Sequence, residues 1–234
     1  MTKVIIQIPC KNEEETLPMT FHDLPKQIPG VEIEYLIIND GSNDRTVEVA
    51  RELGVHHIIQ FKGNRGLGVA FHHGTMHSLM LGADIVVNTD ADNQYPGNRI
   101  PDLIRPILEG KAEMVIGNRK PGSNPHFSAF KRLLQRLGNS VVSMVAGQKI
   151  PDSVSGFRAY SREALYEINV TSRFSYVVDT LIQAYKKGLS IAWIDIDTNA
   201  PTRSSRLFKN IWEHIGKTMM NITKGYILYE PLKV

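Results

Sequence analysis

Only one cysteine, Cys10, occurs in 234 residues, so no internal disulfide can brace this fold and a reducing, cytosolic setting is expected. No stretch approaches the roughly 18 consecutive apolar residues of a membrane-spanning helix, and no basic leader follows Met1. A soluble or peripheral chain is therefore expected, and the sequons at Asn169 and Asn221 read as chance matches. Blocks of like charge, internal repeats and low-complexity tracts are also missing. The net charge of +3 is too small to argue for nucleic acid, and no nucleic-acid partner is expected; mild basicity suits phosphates or lipid head groups. Neither a Gly-x-Gly-x-x-Gly after the first strand nor a Gly-Lys-Ser/Thr loop is found, which argues against dinucleotide dehydrogenases and P-loop enzymes.

What is present is an apolar content of 42%, enough for one large core. "KVIIQIP" reads as a strand, and Asn12 with Glu15 has the spacing of a capping box opening a helix. "VEIEYLIIND" reads as a second strand, followed by the turn "DGSND" and a helix stopped by Gly54. "VHHIIQF", the glycine-punctuated "KGNRGLG", a helix to about Leu81 and the apolar "ADIVVNT" continue the alternation. Strand and helix alternating at this spacing predict a parallel sheet with helices on both faces. Further on, "RIPDLIRPILEG" reads as a helix bent near Pro106, "AEMVIGNR" as a strand and "FKRLLQRLGNSVVSMVAG" as an amphipathic helix. "VSGFRAYSREAL" reads as strand then helix, "YVVDTLIQAYKKG" as a helix, and "LSIAWIDIDT" as a strand with period-2 alternation.

"VVNTDADNQYPG" raises the chemical question, because it delivers two carboxylates side by side at the end of a buried strand. Residues i and i+2 of an extended backbone point the same way, so Asp90 and Asp92 repel each other unless a cation lies between them. Hard oxygen donors of this kind suit Mg2+ or Mn2+. In open parallel sheets the ligand site lies beyond the carboxyl ends of the strands, and there this chain puts "PCKNEE", "NDGSND", "KGNRGLG" and "TDADNQ".

"IPCKNEEETLP", "INDGSNDRT", "GNRGLGVAFHHG", "TDADNQYP", "VIGNR" and "DSVSGFRAYSREAL" occur in the order seen in family-2 glycosyltransferases of the GT-A fold. Over about residues 3–206 the chain most resembles the dolichyl- or polyprenyl-phosphate sugar transferases. The resemblance implies an α/β, GT-A (Rossmann-like), mostly parallel sheet with helices on both faces, followed by C-terminal amphipathic helices. It implies a catalytic domain over 1–206 and a helical, membrane-proximal tail over 207–234. The implied reaction moves a sugar, with inversion, from a nucleotide-diphosphate donor of the GDP-mannose or UDP-hexose type to a polyprenyl or dolichyl phosphate at the cytoplasmic membrane face.

Residue by residue, the resemblance gives Asp40 to the donor base and Pro9, Asn12 and Glu13 to the base and ribose pocket. Asp90, Asp92 and Gln94 match the metal triplet, which holds Mg2+ or Mn2+ against the donor diphosphate. Arg119, Arg132 and Arg158 match basic positions that meet the acceptor phosphate, and Arg203, Ser205 and Arg206 of "PTRSSR" match a loop over the phosphates. Asp179 of "YVVDT" stands where relatives often carry a base. A phosphate monoester is already largely ionised near pH 7, with a second pKa near 6, so it needs a base far less than a hydroxyl does. The chain departs from the pattern at Gln135, where serine is common, and in "FSYVVDT". "GYILYEPLKV" resembles the segment that precedes membrane helices in longer relatives, so a continuation into the bilayer is expected, with a peripheral amphipathic helix as the competing reading.

Blander readings stand beside these. Asp40 before Gly41 can be a turn residue, Glu15 a first-turn carboxylate, and Arg119, Arg132 and Arg158 solvated charges. His73 and His77 have a zinc-like spacing without a third ligand and read as ordinary histidines. Two further functional readings remain open: transfer to a glycan hydroxyl on the same scaffold, and a nucleotide-sugar-binding protein without turnover.

Overall fold

The computed structural model describes residues 1–170 and 172–202, together with Gly216 and Met220. Among the described residues the strands and α-helices run β1 Thr2–Cys10, α1 Leu17–Asp23, β2 Val31–Asn39, α2 Thr46–Glu52, β3 His57–Gln60, α3 Leu67–Met80, β4 Ile85–Asn88 and α4 Ile100–Leu108. Then follow β5 Met114–Asn118, α5 Ala129–Ala146, β6 Arg158–Ser161, α6 Arg162–Glu167, α7 Val177–Lys186 and β7 Ile191–Asp195. The sheet order is β3-β2-β1-β4-β6-β5-β7, and every pairing is parallel except the two that β6 makes with β4 and β5.

Side-chain alternation along the buried strands divides the core in two. Val4, Ile6, Ile8, Tyr35, Ile37, Ile85, Val87 and Val115 face the layer that contains α1, α2 and α4. Ile5, Leu36, Ile38, Val86, Met114, Ile116 and Tyr160 face the layer of α3, α5 and α7. Near the carboxyl end of the parallel strands the second face turns polar. There Gln7 and Asn88 are both fully buried, and Gln7 Nε2 donates to Asn88 Oδ1 at 3.1 Å.

Local expectations fail where tertiary partners override them. α1 starts at Leu17, with Pro18 in its first turn, and not after Asn12. Asn12 instead adopts a left-handed φ of 56°, and its side chain bridges to the next loop by accepting from Asn43 N at 2.8 Å. The strand "FRAY" runs antiparallel to its neighbours, a direction that its hydrophobic run does not encode. β7 shows no buried-exposed alternation; its first four residues are all half-buried on the sheet edge. "GNR" before α4 is a 3₁₀ turn, with Pro106 inside the helix that follows. The expected tail over 207–234 and the loop residues Arg203, Ser205 and Arg206 lie outside the described residues.

Candidate active site

A cleft of about 660 Å³ opens at the carboxyl end of the parallel strands. Its lining includes Pro9, Glu13, Asp40, Asp90, Asp92, Gln94 and Arg119 of the expected residues. Asn12 lines a neighbouring groove with Glu13, Asn43 and Asp44. Arg132, Arg158 and Asp179 do not line the cleft.

On the β1–β2 side, loop backbone is tied down by side chains. Glu13 N donates to Thr46 Oγ1 at 2.8 Å, and Asn12 N donates to Ser42 Oγ at 2.9 Å. Asp40 accepts from the amides of Arg65 at 2.6 Å and Gly66 at 3.0 Å, so its carboxylate fixes the loop entering α3. A carboxylate has about four acceptor positions, which leaves capacity for a ligand donor.

The paired aspartates follow β4 directly and both are half-buried. Asp92 accepts from Gln94 N at 3.2 Å and from Gln94 Nε2 at 2.8 Å. Thr202 Oγ1 donates to Asp92 O at 2.9 Å, and Asn199 N donates to Gln94 O at 3.0 Å, so the segment after β7 clasps this turn from outside. Beside Asp90 stands Gly156, whose peptide is held from both ends. Its N–H donates to Tyr95 Oη at 2.9 Å, and its carbonyl accepts from Tyr176 Oη at 3.0 Å and Asn88 Nδ2 at 3.1 Å. A Cβ at 156 would come within 3.0 Å of Tyr176 Oη and 3.5 Å of Asp90 Oδ1, so glycine keeps the space next to the carboxylate open. Burial pushes the Tyr95 phenol up to about 12, with Arg119 opposing and Asp90 adding to the shift. Burial, and then the charge of Asp90, likewise raises Tyr176 well above the phenol range. Both tyrosines are thus neutral hydrogen-bonding struts.

Two carboxylates and an amide oxygen with an open space beside them form a hard-oxygen donor set that fits Mg2+ or Mn2+. The structure brings this expected triplet together on one turn.

The guanidiniums fare differently. Arg119 lines the cleft but forms a bidentate pair with fully buried Asp152, Nε to Oδ2 and Nη2 to Oδ1 both at 2.7 Å. Burial alone would lower the Arg119 pKa; the charge and hydrogen bonds of Asp152, with Tyr95 and Asp90 adding to them, together outweigh burial and raise it. Arg158 is 0% exposed, with donors going to Ser155 O at 2.7 Å, Val177 O at 2.7 Å, Thr180 Oγ1 at 2.9 Å and Ser153 O at 3.3 Å. It is a brace joining β6 to α7, and the expected contact with an acceptor phosphate does not fit this burial. Arg132 Nη2 donates to Asn124 O at 3.0 Å. Asp179, in the first turn of α7, accepts from Gln183 Nε2 at 2.9 Å, away from the cleft lining.

Residues 5–168 match the family described as Glycosyl transferase family 2. The chain belongs to that family. It is 29% identical over 205 residues to the polyprenol monophosphomannose synthase of Mycolicibacterium smegmatis, covering 83% of this chain and 76% of the relative. To the UDP-N-acetylglucosamine–dolichyl-phosphate N-acetylglucosaminyltransferase of Methanococcus voltae it is 29% identical, covering 83% and 85%. The fold matches the crystal structure of glucosyl-3-phosphoglycerate synthase from Mycobacterium tuberculosis, solved with Mn2+, UDP and glucosyl-3-phosphoglycerate, with a TM-score of 0.74 at 20% identity, covering 97% of this chain and 80% of that one.

In this family 2 glycosyltransferase, Tyr95, Asp152, Gly156 and Tyr176 shape the site without having been singled out by sequence reasoning. Asp152 and Gly156 lie within "DSVSGFR", so the motif signalled the region but not the roles. Tyr176, stacked on Phe71 at 3.9 Å between centroids, had no local signal among its apolar neighbours.

Proposed function

We propose that this glycosyltransferase moves a sugar from a nucleoside-diphosphate sugar to a polyprenyl or dolichyl phosphate, with inversion at the anomeric carbon and with Mg2+ or Mn2+ held by Asp90, Asp92 and Gln94. The observation that carries the reading is the Asp90–Asp92 turn on the cleft lining, next to the open face of Gly156. The curated relatives named for polyprenyl- and dolichyl-phosphate transfer support the acceptor class. The donor-side roles fall to Pro9, Glu13 and Asp40, which line the cleft, with Asn12 in the adjoining groove.

A bound divalent ion supplies Lewis-acid compensation for the charge that grows on the leaving diphosphate. Asp90, Asp92 and Gln94 would hold the ion at the cleft lining, and the Tyr95–Gly156–Tyr176 clamp fixes the backbone beside Asp90. The bond from the anomeric carbon to the diphosphate oxygen breaks as an acceptor phosphate oxygen bonds from the opposite face. No proton has to leave an already ionised phosphate, so positioning carries the acceptor half of the reaction. Asp179 is not required as a base on this reading. The acceptor lipid gives a membrane-surface location; among the described residues no helix is long and apolar enough to cross a bilayer. Residues 1–206 form the catalytic domain on this reading and 207–234 the membrane-proximal tail.

Incubation with GDP-mannose or UDP-hexoses, a short-chain polyprenyl phosphate and Mn2+ tests the proposal. Glycosyl-phosphate lipid with inverted configuration is expected. Product formed only with a saccharide acceptor, or nucleotide-sugar binding without turnover, would overturn it.

A further inference from the structure

We propose that Arg65 and Arg173 form a phosphate-binding pair on the α3–α7 wall of the cleft, an inference that deepens the transferase reading and rests on it for the identity of the ligand. Arg119 is locked on Asp152, and Arg158 is buried against carbonyls. By contrast Arg65 and Arg173 are exposed, both line the cleft, and neither makes an ion pair among the described residues. The carboxylate that reaches this loop, Asp40, takes the Arg65 and Gly66 amides and leaves the guanidiniums alone.

The two loops that carry these arginines are locked as one unit. Gly68 N donates to Arg173 O at 3.2 Å, and Arg173 Nε donates to Arg65 O at 3.4 Å. A Cβ at Gly66, where φ is +99°, would lie 2.2 Å from Arg173 O, and one at Gly68 1.8 Å from Ser172 O. No side chain fits at either position, so the contact requires bare backbone. Close packing here keeps two like charges on one cleft lining, neither of them ion-paired among the described residues. Such a pair is electrostatically unfavourable until an oxyanion arrives, and paired N–H forks match phosphate oxygens. The positive field is felt locally: burial, followed by the Arg65 charge, holds His73 below the ordinary histidine range. The ligand is a phosphate group, supplied either by the donor diphosphate or by the acceptor monoester.

Calorimetric titration of the full chain with pyrophosphate, in EDTA so that no metal contributes, tests the pair. Arg65→Gln/Arg173→Gln is expected to bind at least about tenfold more weakly than wild type, with a melting temperature lowered by no more than the loss of the one exposed Arg173 Nε–Arg65 O bond. Arg65→Lys/Arg173→Lys is expected to fall between the two, because lysine keeps the charge and loses the fork. Equal affinity in all three proteins, or no pyrophosphate binding by wild type, overturns the proposal. So does an equal loss for guanosine or uridine, which would assign the pair to the base. A loss confined to GDP or UDP identifies the donor as the source, and one confined to a short polyprenyl phosphate identifies the acceptor; either supports the site. Absence of sugar transfer by wild type would sink the transferase reading while leaving the pyrophosphate contrast in place.

Discussion

The two sides of the cleft solve the problem of placing charge in opposite ways. After β1, β2 and β4, the carboxylates Glu13, Asp40 and Asp92 lie on the cleft lining and accept from nearby hydroxyls, amides and backbone N–H groups. Toward β5, β6 and α7, the charged groups turn inward: Asp152 and Arg158 are both fully buried, and Arg119 is bound to Asp152 through two hydrogen bonds. Charge on the first side lines the cleft, whereas charge on the second side largely holds the fold. Substitutions should therefore separate: loss of function with retained stability on one side, and loss of stability on the other.

The largest stability effect expected is at Arg158. Replacing it with leucine leaves the Ser153, Ser155 and Val177 carbonyls without their buried donor and should cost about 3–5 kcal/mol in denaturant unfolding. A change below about 0.5 kcal/mol would mean that Arg158 is a solvated phosphate ligand after all, and the contrast would break. Asp152→Asn comes next, because it strands the Arg119 guanidinium against a neutral partner; a loss of about 2–3 kcal/mol is expected, measured by the same unfolding curves. Asp40→Asn, on the other side, should move stability by less than either while weakening nucleotide binding.

The smallest effect is a pH dependence. Tyr95 has a folded pKa near 12, above its ordinary 10.0. Its contribution to stability is complete below about pH 10 and is lost as the pH rises through 12, because the unfolded chain releases the phenolic proton first. At pH 11 this loss is about 1 kcal/mol. Tyr95→Phe should flatten the alkaline limb of the stability curve by that amount, and an unaltered limb would show that the phenol is not buried against Asp90.

The same division explains what could be read from the chain. Strands ending in "IPCKNEE", "IIND" and "VVNTDAD" announce carboxylates at a sheet edge, since strand period and a local turn suffice to place them. Arginine roles depend on partners far along the chain: Arg119 meets Asp152 across 33 positions, and Arg158 meets Val177 across 19. Spacing alone does not reveal which guanidinium is already satisfied. Asn12 failed as a helix cap for the same reason, since its side-chain oxygen is taken by Asn43, 31 positions away. Gly66 and Gly68 were visible as punctuation in "RGLG", yet their function is close backbone contact with Ser172 and Arg173, which only the fold discloses.

The most direct test is calorimetric titration of wild type and Asp92→Ala with GDP- and UDP-sugars, each with and without Mn2+. Wild type should bind one donor class tightly only when the ion is present, and Asp92→Ala should lose that metal-dependent increment while keeping its melting temperature. Binding that ignores both the ion and the substitution would contradict the assignment of Asp90 and Asp92 as the cation's carboxylates.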